Sequence, residues 1–172
     1  IGDNIGLDDT VFDTSAGGTF NHNNGTLRFV SGGTTSTHTI DVDTSASFYN
    51  LEFAALGSGD ENEAITYIIA SGDTLNAAND FAVRRVSYAE HTITINGGTI
   101  DLKGNIARVD RMGNGGTALL TMTGTADQTY AHNGGRLPKL HINKSSGGVL
   151  PASGYTSLSV SAFELAQGTF TA

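Results

Sequence analysis

The chain is written largely in short apolar-polar alternations separated by glycine turns. In Thr99-Ile100-Asp101-Leu102, Ile and Leu fall on one face of an extended strand and Thr and Asp on the other. That strand is entered through Asn96-Gly97-Gly98 and left through Lys103-Gly104. Variants of the device recur at Gly17-Gly18-Thr19-Phe20, Asn24-Gly25-Thr26-Leu27, Gly115-Gly116-Thr117-Ala118 and Gln167-Gly168-Thr169-Phe170. Glycine accepts the positive φ of a tight turn, and threonine followed by a β-branched or aromatic residue suits a pleated strand with one buried side. Strands this short cannot bury an apolar face alone, so many must pile together. In the first half the pattern predicts strands over 26–30, 37–42, 48–54, 65–70, 81–86, 92–95 and 99–102. No segment has convincing helical periodicity; 75–86 comes nearest and reads equally well as a turn followed by a strand.

The second half can be laid on the first. Gly25-Thr26 meets Gly116-Thr117, His38-Thr39-Ile40 meets Gln128-Thr129-Tyr130, and Phe48 to Phe53 meets Leu137 to Ile142. Ala70 to Thr74 then meets Ala152 to Thr156, with Phe81 and Val83 against Phe163 and Leu165. The offset shortens where the first copy carries the polar stretch Leu56 to Ala64 and the second has only Ser145-Ser146-Gly147-Gly148, as expected when a stacked fold grows a loop at one corner. The chain divides into an acidic lead-in (1–16), one repeat (17–96), a second (97–167) and the opening of a third (168–172), with repeats of about 70 to 80 residues. An end inside a repeat marks it as an excerpt of something longer. The fold expected is an all-β parallel β-helix, or β-solenoid, with about three strands per coil and a rise of about 4.8 Å. An antiparallel β-sandwich is the alternative, since it also strings short strands between turns. Unequal loops and the scarcity of two-residue hairpin turns favour the solenoid.

Composition narrows the function classes. Among 172 residues, 38% are hydrophobic and 15% charged, with 23 Gly, 2 Pro and no Cys or Trp, a profile common in secreted all-β repeat proteins. The net charge of −8 argues against a sequence-independent grip on nucleic acid or anionic lipid, and the paired Arg84 and Arg85 do not reverse it. No apolar run approaches membrane-spanning length, so membrane insertion is not expected. The absence of cysteine excludes disulfides and thiol chemistry.

Candidate chemistry is sparse. Asp60, Glu61 and Glu63 crowd one loop and form a weak calcium candidate, yet neither an EF-hand spacing nor a glycine-aspartate nonapeptide occurs. Asp8 and Asp9, and Asp41 and Asp43, read as solvated acidic edges. His22, His38, His91, His132 and His141 have no mutual metal-ligand spacing. Thr37/Thr39, Thr92/Thr94, Thr121/Thr123 and Thr169/Thr171 are spaced like ice-binding pairs, but unevenly along the chain. No nucleophile elbow, phosphate loop or dinucleotide fingerprint is present. Among the tyrosines, Tyr49 and Tyr88 are the candidates for stacking on a glycan.

The run from Asn114-Gly115-Gly116-Thr117 through Thr129-Tyr130, then Gly134-Gly135-Arg136-Leu137-Pro138-Lys139-Leu140-His141-Ile142 and Ser146-Gly147-Gly148, resembles the glycine-rich β-helical repeats of large bacterial secreted and cell-surface proteins. The first copy departs from that rhythm with Phe48-Tyr49-Asn50 in place of Leu-Pro. The resemblance implies a non-enzymatic stalk, adhesin or fibre component at the cell surface. Its partners would be neighbouring repeats or subunits stacked end to end. It carries no catalytic residues or cofactor. The alternative function is a carbohydrate-binding or carbohydrate-cleaving module, with Tyr49 or Tyr88 beside the 60–63 loop.

Overall fold

The computed structural model describes residues 8–31, 35–55, 63–85 and 91–172. Its strands join in one 13-stranded sheet wound into a three-faced solenoid of about six turns. In the first coil β1 (Asp8–Asp13) lies on the first face and β2 (Thr26–Ser31) on the third. The second coil places β3 (Ser36–Asp41), β4 (Ser45–Phe48) and β5 (Asn50–Ala55) on successive faces. Strands then run round corners: β6 (Ala64–Ala77) covers the first and second faces before β7 (Phe81–Arg85) on the third, and β8 (Thr92–Leu102) with β9 (Ile106–Asp110) repeats the arrangement. In the next coil β10 (Leu119–Met122) and β11 (Gln128–Asn133) take the second and third faces, and the first is reduced to bridges at Gly113 and Asn114. Finally β12 (Leu137–Pro151) and β13 (Val160–Phe170) each span the second and third faces.

Every pairing between these strands is parallel, which identifies the solenoid and dismisses the sandwich. Coils take roughly 20 to 30 residues, longer where Ser36 pairs with Ile65 and shorter where Leu119 pairs with Lys139. The stretch 75–86 divides between the end of β6 and β7, and no helix forms there.

Alternation decides what is inside. In β3, Ser36, His38 and Ile40 point inward and are buried while their neighbours are only partly covered. In-register pairing stacks like positions into columns along the axis. On the second face one column runs Ala46, Leu75, Ile100, Leu120, Leu140, Phe163 and the next runs Phe48, Ala77, Leu102, Met122, Ile142, Leu165. Large residues sit beside small ones along these columns, as with Phe48 next to Ala77. Near the first coils the filling is aromatic: Phe29 and Phe53 lie 5.4 Å apart and Phe53 and Tyr67 5.1 Å.

The glycine-led turns form the corners. Gly97, at φ 72°, bends β8 where its chain crosses β6, and a Cβ there would run into the carbonyl oxygen of Ile69. This turn therefore does not end a strand; it folds one strand from the first face onto the second. The segments that match between the two halves of the sequence fall on different faces. His38 to Ile40 lies on the first and Gln128 to Tyr130 on the third; Phe81 and Val83 lie on the third, Phe163 and Leu165 on the second. The matches record reuse of a strand-and-turn unit, and the coil boundaries come from the registers.

Candidate functional site

Of the residues singled out from sequence, Asp60, Glu61 and Tyr88 lie outside the described residues. Glu63 sits just before β6 and its side chain is largely covered, with Oε2 3.8 Å from Nδ1 of the buried His91. The Glu63 backbone N–H donates to the same Nδ1 at 3.3 Å. Among the described residues no group of three or more His, Asp or Glu side chains is placed to hold a metal ion. Tyr49 occupies the corner between β4 and β5, half-buried, with the ring of His22 stacked on it at 6.0 Å. One face of the proposed sugar platform is therefore taken by the protein itself.

The threonines divide. Thr37, Thr66 and Thr94 stack in one outward column of the first face, but the column beside them reads Thr39, Ile68, Asn96. No two-file threonine array forms there.

Two polar features escaped the reading of single residues. At the start of the third-face strands, Thr26, Asn50, Asp80, Asn105 and Thr129 follow one another coil by coil. Asn50 Nδ2 donates to Thr26 Oγ1 at 3.1 Å, and Asn50 Oδ1 accepts from the Asp80 backbone N–H at 3.1 Å. Asn105 Nδ2 donates to Asp80 Oδ1 at 3.4 Å, and Asn105 Oδ1 accepts from the Thr129 backbone N–H at 2.8 Å. Such a ladder satisfies corner groups that the strand registers leave open. Beside it, the outer side of the third face gathers Arg28, Glu52, Arg84, Arg108 and Asp110 on a chain that is acidic overall. Only the coil register brings these positions together, and Arg108 faces outward only because of an irregularity in β9.

The last coil is the third feature. Phe163 and Leu165 continue inward columns whose preceding members, Leu140 and Ile142, are 1% and 0% exposed, yet each is itself 46% exposed. Val160 and Phe170 lie partly buried beside them, and the Phe163 and Phe170 rings are 5.0 Å apart. The described structure thus presents an apolar, strand-shaped end.

Compared with protein-family models, with curated proteins and with solved structures, the chain matches none of them. The fold and its geometry therefore carry the functional reading.

Proposed function

We propose that this chain is a non-enzymatic structural segment of an extracellular bacterial surface protein or self-assembling fibre, a stiff rod lengthened by stacking coil on coil. The supporting observation is the unbroken in-register stacking of apolar columns, from Ala46 to Phe163 and from Phe48 to Leu165, by which the rod lengthens coil on coil. Within the chain each coil is covered by the next through the same parallel register and the same apolar columns. A further coil of this kind is the surface most complementary to these columns, supplied by a neighbouring repeat or subunit stacked end to end. Placement at the bacterial cell surface rests on the resemblance to secreted β-helical repeats and on a cysteine-free, weakly charged composition.

Sedimentation velocity across a concentration series, with negative-stain micrographs of the same samples, tests this reading. The wild-type chain should lengthen into rods of constant width as concentration rises, and the double variant Phe163→Asp, Leu165→Asp should stay monomeric. A wild-type chain that remains a monomer at every concentration would overturn the fibre reading.

A further inference from the structure

The outer side of the third face also holds a groove of about 360 Å³, toward the lower end of ligand-pocket sizes. Its centre is Ala82. Glu52 on β5 and Arg108 on β9 stand in register on either side of that methyl group, with Asp80 just ahead of β7 and Arg84 two residues after Ala82 on it. A small residue ringed by four long or charged ones leaves a hollow.

Arg108 reaches this ring because β9 carries one extra residue. Phe81 pairs with Ile106 but Ala82 with Arg108, and on the other side Tyr130 pairs with Ile106 but His132 with Val109. Ala107 is the bulge. Simple alternation from the buried Ile106 would have sent residue 108 into the core; instead Val109 is buried and Arg108 is half-exposed.

The charges are unequally satisfied. Arg28 Nε stands 2.6 Å from Glu52 Oε1, and Arg28 Nη2 donates to Glu52 Oε2 at 3.3 Å. Asp110 takes Arg108 Nε at 2.7 Å. Arg84 is held less closely: its Nη1 stays 3.6 Å from Glu52, beyond hydrogen-bond distance, and its Nε meets no acceptor among the described residues. A guanidinium short of acceptors, on a side chain 39% exposed, favours a ligand that brings a carboxylate to its outer nitrogens. Thr26, Asn50 and Asp80 of the polar ladder also line the groove; Asn50 is already engaged by Thr26 and the Asp80 backbone, so the Thr26 hydroxyl and the Asp80 carboxylate are the groups suited to ligand hydroxyls. The lining holds two guanidiniums and two carboxylates, so it suits a single negative charge better than a dianion.

We infer that this groove binds a monoanionic polyhydroxy acid of the uronic-acid class. The ligand carboxylate meets the guanidiniums of Arg84 and Arg108, and the ring hydroxyls turn toward Thr26 and Asp80. A planar guanidinium is the group best matched to a carboxylate. The site lies on the flank of the rod, so its failure leaves the end-to-end reading untouched.

Amide-resolved NMR titration of the full chain decides it, using glucuronate, an oligouronate, neutral glucose and inorganic phosphate as separate probes. Glucuronate should shift amides of β5, β7 and β9, glucose should not, and phosphate should act more weakly. Tighter binding of the oligouronate would identify a polymer as the source, and equal binding the free sugar acid. Ala82→Leu, which fills the hollow from outside the core, and Arg84→Gln should each weaken glucuronate about tenfold or more, while Arg84→Lys should retain part of the affinity. No shift with glucuronate, equal shifts with phosphate, or undiminished binding in a folded Ala82→Leu protein would each overturn the proposal.

Discussion

Lys144 Nζ donates to Gln128 Oε1 across 2.6 Å inside the solenoid, and neither side chain reaches solvent. The ammonium also donates to the carbonyl of Ala126 at 2.9 Å and to that of Gly124. Gln128 in turn donates through Nε2 to Leu102 O at 3.2 Å and to Gly104 O. One lysine and one glutamine thus stitch the corner between β10 and β11 to the coil below it and the coil above. Three oxygens around a buried ammonium do the work that a bound cation does in other loops.

Lys144→Met should therefore cost roughly 3 kcal/mol in urea unfolding, because it leaves a buried amide oxygen and two carbonyls without a donor. Burial holds the Lys144 ammonium below its ordinary pKa, against the opposing charge of Asp127. The unfolded chain then binds the proton more tightly than the folded one. Stability from this group rises with pH between the depressed folded value and the ordinary lysine value. The Met variant should lack that alkaline rise; the same slope in both proteins would show that the lysine does not carry it.

Asp110 acts in the opposite pH range. It is buried, which pushes its pKa up, but it accepts from the Arg85 backbone N–H at 2.9 Å, Arg108 Nε at 2.7 Å and Asn133 Nδ2 at 3.2 Å. Those bonds and the Arg108 charge outweigh burial and hold the carboxyl below its usual value. A carboxylate with a depressed folded pKa stabilises fully above its unfolded pKa, and the gain is lost as pH falls through the folded value. Asp110→Asn should cost roughly 1 to 2 kcal/mol at neutral pH. Near pH 2 the two proteins should converge, read as chemical-denaturation midpoints. A constant difference down to that pH would contradict the assignment.

These two residues show how much of the molecule could be read beforehand. The strand expected over 26–30 is β2 (Thr26–Ser31), and that over 81–86 is β7 (Phe81–Arg85), because alternation is a local signal. The inward direction of Lys144 follows the same local signal, since it comes after Leu140 and Ile142 at every second position. The partners were not legible. Gln128 lies a coil away, and nothing local says which corner of which coil will meet it. The Ala107 bulge is harder still, since Ile106-Ala107-Arg108-Val109 obeys no alternation until the register with Ala82 is known. The groove depends on that one extra residue, since alternation alone would have placed Arg108 inward and could not name its neighbours.

Corner glycines should separate into two groups. Gly97→Ala combines positive φ with a collision against the Ile69 main chain and should cost more than about 3 kcal/mol or abolish soluble expression. Gly154 has φ 87° but open space around its missing side chain, so Gly154→Ala should cost only about 1 kcal/mol. Paired urea denaturations compare them. Equal losses would mean that conformational strain alone, and not coil-to-coil contact, sets the requirement for glycine.

Leu140 and Phe163 are neighbours in one column, 1% and 46% exposed. Leu140→Ala removes a side chain packed on both sides and should cost roughly 2 to 5 kcal/mol at any protein concentration. Phe163→Ala removes a ring packed on one side only, so in dilute solution its cost should stay near 1 kcal/mol, well short of full burial. If a second chain covers the end coil, the wild-type melting temperature rises with concentration and the Phe163→Ala protein loses that dependence, because association adds to the stability of the folded state. Calorimetry over a hundredfold concentration range separates the two cases. A wild-type transition that does not move would assign Phe163 to a solvent-facing end, and identical concentration dependence in both proteins would place the contact elsewhere on the rod.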